Sequence, residues 1–259
     1  MPGDSLGDRM KRYEDASRYY LPDRMPVIIR LDGKAFHTWT RGLERPYCQP
    51  LMEAMDKVAI HVLQNIQNAA MAYVQSDEIS ILVVNFRDIK TTPWFDNNLQ
   101  KMVSVSAALA SSKMTVLSSE LFFDGEPKPA LFDARAFVMP ILDVENYMIW
   151  RQKDWQRNSI QMLARSLYSH KELHKKSTPE LHEMCFQKGH NWARDYSSQV
   201  KDGRVILKGI KTVYFERGDY VQKAEWGILE TTPIFTTPEG RMLVRNLMKL
   251  EEPEKIEEG

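Results

Sequence analysis

Residues 70–84 read AMAYVQSDEISILVV, two apolar runs on either side of Gln75-Ser76-Asp77-Glu78. Runs of this length and composition, split by a short polar group, are most simply a β-hairpin with its acids at the tip. Upstream, residues 25–31 (MPVIIRL) form a β-branched run that reads as a buried strand, ended by Asp32-Gly33. Between them, residues 51–66 place Met52, Met55, Val58, Ala59, Val62, Leu63 and Ile66 on one helical stripe. Downstream, residues 97–112 are small and apolar enough for a closely packed helix, and residues 131–138 (LFDARAFV) alternate like a strand. The order β-α-β-β-α-β predicts an α+β, ferredoxin-like split βαβ sheet with both helices on one face.

In such a sheet the first strand and the hairpin are central. Asp32 and Asp77 can therefore lie side by side despite the 44 residues between them. Two carboxylates so placed repel unless a cation bridges them or one takes up a proton. Magnesium suits this arrangement, because it prefers hard oxygen ligands and uses few carboxylates. Gly33 could add a backbone carbonyl, having no side chain to block close approach. Asp-Gly after a strand and Asp in a hairpin tip are also ordinary turn chemistry, so spacing leaves both readings open.

The rest of the chain bounds the answer. Among 259 residues, 43% are hydrophobic and 27% charged, with 35 basic against 35 acidic groups, a composition expected of a soluble globular protein. Two cysteines exclude a disulfide framework and, without a Cys-x-x-Cys pair, give no zinc signature, which fits a reducing compartment. No apolar run is long enough for a bilayer, so the expectation is a cytoplasmic protein with no membrane partner. Residues 6–19 suggest a short amphipathic helix. Residues 144–168 suggest one long helix N-capped by Asp143, and residues 178–186 a short one capped by Thr178 with Pro179 first. Residues 205–214 have strand or hairpin character, and the acidic tail from Glu251 reads as disordered. A soft boundary near Pro140 divides a core, 1–140, from a mainly helical part, 141–259, packed on it. Residues 151–176 carry seven Lys or Arg against two acids, either a solvated face or a grip on a polyanion.

Four ordered strings add a resemblance. Arg30-Leu31-Asp32-Gly33-Lys34-Ala35-Phe36-His37 and Gln75-Ser76-Asp77-Glu78 resemble the paired signature of the tRNA-His guanylyltransferase superfamily, the 3′-to-5′ polymerases. Trp150-Arg151-Gln152-Lys153-Asp154 resembles that family's W-R-Q-x-D helix start, and Leu6-Gly7-Asp8-Arg9-Met10-Lys11 its N-terminal motif. The resemblance covers about residues 5–215. It implies a catalytic core like a polymerase palm, a homotetramer, tRNA as partner, and ATP, GTP or other nucleoside triphosphates as substrates. It also implies that Asp32, Gly33 and Asp77 hold two Mg2+ ions, with Glu78 beside them as a further catalytic candidate. The same resemblance assigns nucleotide contacts to Arg30, Lys34, Ala35, Phe36, His37, Arg45, Ser76 and Asn158. RNA contacts are expected from Arg151, Lys153 and Arg157, and from Lys171, Lys175, Lys176 and Lys188.

Two departures sharpen the expectation. Gln156-Arg157-Asn158-Ser159 stands where the classical enzymes read His-Ile-Asn-Asn, and is similar to the branch that repairs 5′-truncated tRNA. Cys48 stands where the classical branch tends to have an acid that contacts the base. The expected activity is therefore template-dependent addition to a tRNA 5′ end after ATP activation, with classical guanosine addition to tRNA-His as the alternative. A binding scaffold with a degenerate palm and a nucleotide cyclase are disfavoured, the first by the intact acids and the second by the long basic helix.

Overall fold

The computed structural model describes residues 5–122, 125–214 and 220–249. The expected disorder from Glu251 lies outside these residues. Strands β1 (Val27–Gly33), β2 (Ala69–Gln75), β3 (Glu78–Val83) and β4 (Phe132–Val138) form the order β4-β1-β3-β2, antiparallel throughout, with β1 and β3 central. This is the predicted split βαβ core. Helices α1 (Leu6–Asp15), α2 (Phe36–Trp39), α3 (Gln49–Asn65) and α4 (Leu99–Leu117) belong to this half. α3 and α4 cover one face of the sheet. Val27, Ile29, Leu31, Val74, Ile79 and Ile81 meet Val58, Val62, Met102 and Met114 there in one apolar cluster.

The other face is covered by α5 (Ile141–Leu167). Ile28, Met71, Tyr73 and Leu82 pack on its Val144, Tyr147 and Met148. Cover on both faces explains why β2 and β3 are nearly continuous in apolar residues rather than alternating. Short helices follow: α6 (His170–Leu173), α7 (Thr178–Gln187), α8 (Trp192–Asp195) and α9 (Ser198–Asp202). Strand β5 (Arg204–Tyr214) then joins the sheet beside β2, and β6 (Tyr220–Ile228) beside β5, so strands from both sides of residue 140 share one sheet. Helix α10 (Pro238–Leu247) packs against α5 with Val244 buried.

Two capping expectations change. α5 begins at Ile141 after Pro140, and Asp143 sits in its first turn, not at its cap. There it still complements the positive end of the helix dipole. α7 is capped by Ser177, whose hydroxyl and backbone amide both bond the Glu180 carboxylate, so Thr178 is helical. A Ser-x-x-Glu capping box satisfies two orphan groups, which a Thr cap followed by Pro does not.

Candidate active site

The ladder between β1 and β3 carries Asp32 to the hairpin tip. Asp32 lies opposite Glu78 on β3 and opposite Asp133 on β4, and the Gly33 amide donates to the Asp77 carbonyl at 3.1 Å. Ser76, at φ 48, makes the left-handed turn that sets Asp77 at the tip. Burial first, and then the charge of Asp32, push the Asp77 carboxyl up to about 6. Such a cost is what a bound cation removes. The donor set is hard oxygen throughout, two carboxylates and a backbone carbonyl, which fits magnesium. Gly33 is required for a steric reason: a Cβ there would sit 2.4 Å from the Phe36 ring.

Beside this end opens a cavity of about 420 Å3. Of the expected residues, Gly33, Ala35, Phe36, His37, Arg45, Ser76 and Asp77 line it. Ala35 caps α2 in the left-handed region at φ 55. Phe36 turns its ring inward, stacked on Trp39 at 4.8 Å and edge-on to Phe132 at 5.0 Å, and so stiffens the wall. Arg30, Asp32, Lys34 and Asn158 lie outside the cavity lining. Arg30 is on the α5 face opposite Ser80 and Arg135, its Nε buried without a partner. Lys34 is exposed, and Asn158 faces Asp154 at 3.4 Å.

Two assignments need correction. Glu78 is 8% exposed, and the Arg151 guanidinium holds both its oxygens at 2.7 Å. Gln75 Nε2 also donates to it at 3.0 Å. Its carboxylate is committed to this pair, so it is not a free metal ligand. Arg151, 7% exposed, is correspondingly an internal brace and not an RNA contact. The rest of the W-R-Q string works the same way. Gln152 donates to the Asp202 and Pro233 carbonyls and accepts from the Phe235 amide, tying α5 to α9 and the following chain. Lys153, Arg157, Lys171, Lys175, Lys176 and Lys188 are exposed. Arg157 is paired with Asp154, Lys176 with Glu180 at 3.0 Å, and Lys188 lies 5.3 Å from the Tyr168 ring centre.

Other lining residues escaped the sequence reading. Tyr47 donates to the Ser159 carbonyl at 2.7 Å and meets Tyr196 edge-on, fastening the loop before α3 to α5. Cys48, noted only as a departure from a family pattern, lines the cavity with Trp155, Met162 and Arg165. Arg204, 2% exposed, closes the cavity while its Nε donates to Asp56 at 2.5 Å. Burial holds the Asp56 carboxyl above its ordinary range even so. Asp56 and Arg204 are 148 residues apart, and no local signal links them.

A family model described as "Thg1: tRNAHis guanylyltransferase" matches residues 7–140, more than half of the chain. The chain belongs to the tRNA-His guanylyltransferase family. Among solved structures, a bacterial tRNA(His) guanylyltransferase (Thg1)-like protein in complex with ATP is 41% identical, with a TM-score of 0.84, over 95% of this chain and 100% of that one. A second, in complex with GTP, is 39% identical with a TM-score of 0.77, over the same shares. The probable tRNA(His) guanylyltransferase of Homo sapiens is 31% identical over 140 residues, 52% of this chain and 45% of that protein. The chain thus spans less than two thirds of the length of the curated relatives it matches first.

Proposed function

We propose that the chain is a nucleotidyltransferase that extends tRNA in the 3′-to-5′ direction, with a 5′-truncated tRNA end as its substrate and the opposing strand as template. The observation that carries this reading is the Gly33–Asp77 backbone bond, which joins the end of the strand bearing Asp32 to the hairpin tip, where Gly33 and Asp77 line the cavity. The similar bacterial proteins solved with ATP and with GTP support a nucleotide in that cavity.

Within it, the chain's residues bind and orient. Arg45, exposed at the rim, offers charge to a triphosphate, and Ser76 at the tip offers a hydroxyl to the same group. His37, Ala35 and Cys48 form the wall beside the base. Met52, Trp155 and Met162 keep part of that wall apolar, which suits the flat face of a base. Asp32, the Gly33 carbonyl and Asp77 would hold two magnesium ions, which when bound lower the pKa of an attacking hydroxyl and offset charge on the leaving group. The 3′-oxygen of the incoming nucleotide forms the new bond to the activated 5′-phosphorus, and the activating AMP or pyrophosphate departs. No protein nucleophile is required, so positioning supplies the rate.

The repair reading has a structural support in residues 156–159. Gln156 donates to Asp202 at 2.7 Å, Arg157 and Asn158 engage Asp154, and the Ser159 carbonyl accepts from Tyr47. Gln156 and Ser159 are thereby spent on internal bonds rather than held out to read a base, while Arg157 stays exposed beside Asp154. The protein would act as a homotetramer in the cytoplasm; among the described residues no helix is long and apolar enough to cross a membrane.

The test offers wild-type protein, with magnesium and ATP, a 5′-shortened tRNA and a tRNA-His lacking its extra guanosine, with each nucleotide in turn. Preferential, template-matched extension of the shortened tRNA is expected. Asp32→Ala and Asp77→Ala are each expected to lower incorporation at least about 1000-fold, near 4 kcal/mol in the barrier. Guanosine addition restricted to tRNA-His would replace repair by the classical activity, and wild-type turnover in either variant would remove the metal assignment.

A further inference from the structure

A second cavity, of about 210 Å3, lies between the later turns of α5 and the α6–α7 turn. Its floor is apolar, made by Ala164, Leu173 and Leu181, and its rim carries the cations Arg165, Lys175 and Lys176 with the imidazoles of His170 and His174. No carboxylate lines it. The two nearby acids are turned into helix caps. Glu172 accepts from the Ser169 amide and hydroxyl at 2.8 and 2.6 Å. Glu180 accepts from the Ser177 amide and hydroxyl at 2.8 and 2.7 Å, and from Lys176 at 3.0 Å. The rim is therefore left with Arg165 and Lys175 as cations without an ion-pair partner among the described residues, beside two imidazoles that can donate hydrogen bonds.

Arg165 decides what the cavity is for. It lines this cavity and the larger one, so the two share a wall on a single side chain. No Phe, Tyr or Trp lines the smaller cavity to stack a base, and it has half the volume of the larger. A small cavity rimmed by several cationic and hydrogen-bond-donating side chains suits one compact anion. Lys175 sits at φ 60, where Gly or Asn would fit at less cost, so a long cation is kept at a position that favours a small residue.

We propose that this second cavity holds a backbone phosphate of the RNA strand whose end is extended in the first, with Arg165 spanning the two. The inference rests on the polymerase reading and deepens it, because it fixes where the substrate strand leaves the nucleotide site. The strand would pass over the second half of α5, away from Arg151 and the buried brace.

The test uses the full chain with His174→Gln and Lys175→Gly, singly and together, the glycine chosen because it suits the positive φ. Binding of labelled, 5′-shortened tRNA is followed by fluorescence anisotropy across a salt series, and nucleotide incorporation is measured beside it. The double variant is expected to bind tRNA about ten-fold more weakly, with the salt slope smaller by about one. Its KM for tRNA should rise while its KM for nucleoside triphosphate stays put, and Lys175→Arg should restore the slope. Unchanged tRNA affinity and slope in the double variant overturns the proposal. So does a rise confined to the nucleotide KM, which would make the cavity a nucleotide subsite. So too does an acidic peptide that binds wild type but not the variant while tRNA affinity is unmoved. Loss of tRNA binding in the variant, in a protein whose wild type incorporates no nucleotide, would sink the polymerase reading and leave the phosphate site standing.

Discussion

The two faces of the sheet are covered in opposite ways. Against α3 and α4, the inner positions of β1 and β3 are all apolar: Val27, Ile29 and Leu31 with Ile79 and Ile81. Against α5, the same strands offer Ile28 and Leu82, then Arg30, Ser80 and Glu78 toward the hairpin end. Ser80 bonds Tyr147 at 2.8 Å and Glu78 takes both arms of Arg151. An apolar face holds the sheet without specifying its partner's position closely, since dispersion and burial are non-directional. A bidentate ion pair fixes distance and orientation. The first face supplies stability, and the second aligns α5 with the acidic end of the sheet.

Replacing one partner of the ion pair gives the largest effect. Arg151→Met leaves Glu78 buried and uncompensated, at an expected cost of about 3–5 kcal/mol by denaturant unfolding. Glu78→Leu combined with Arg151→Met should return stability to within about 1 kcal/mol of wild type while incorporation stays low, because alignment is lost. Full recovery of activity in the double variant would show that the pair does not position the site. On the apolar face, Ile79→Ala, next to Glu78 in sequence, should cost about 3 kcal/mol through the cavity it leaves, with KM for nucleotide little changed. A smaller effect concerns pH. Asp77 has its carboxyl raised from 3.8 to about 6, so the folded state holds a proton there that the unfolded chain has lost. In metal-free buffer wild type should therefore lose about 2 kcal/mol as pH rises from about 4 to 6, after allowance for partial exposure. Asp77→Asn should flatten that loss, and an unaltered profile would mean the carboxyl is not held up.

What the sequence reveals follows the range of each interaction. The hairpin, β1, α3, α4 and β4 are legible because their apolar periodicities are local. The meeting of Asp32 with Asp77 is legible one step later, since the order of elements puts both on central strands. Side-chain partners across the sheet are not. Arg151 counts as a surface cation in any tally of charge, and only its pairing with a residue 73 positions away shows it buried. Asp56 and Arg204 are hidden for the same reason. Ala35 gives no warning of its left-handed turn, because Gly or Asn is the usual sign of one. β6 and α10 lie past residue 215, where the resemblance ends and no motif marks an element.

The bond from the Gly33 amide to the Asp77 carbonyl has a consequence for how the chain tolerates change. It sits in a ladder, so the spacing of the two acids is independent of the length of chain that joins them. Insertions in the loop after α2 should leave the acids in place. A single residue added or removed within β1 or β3 would shift the pairing by one, and the acids would no longer face a common partner.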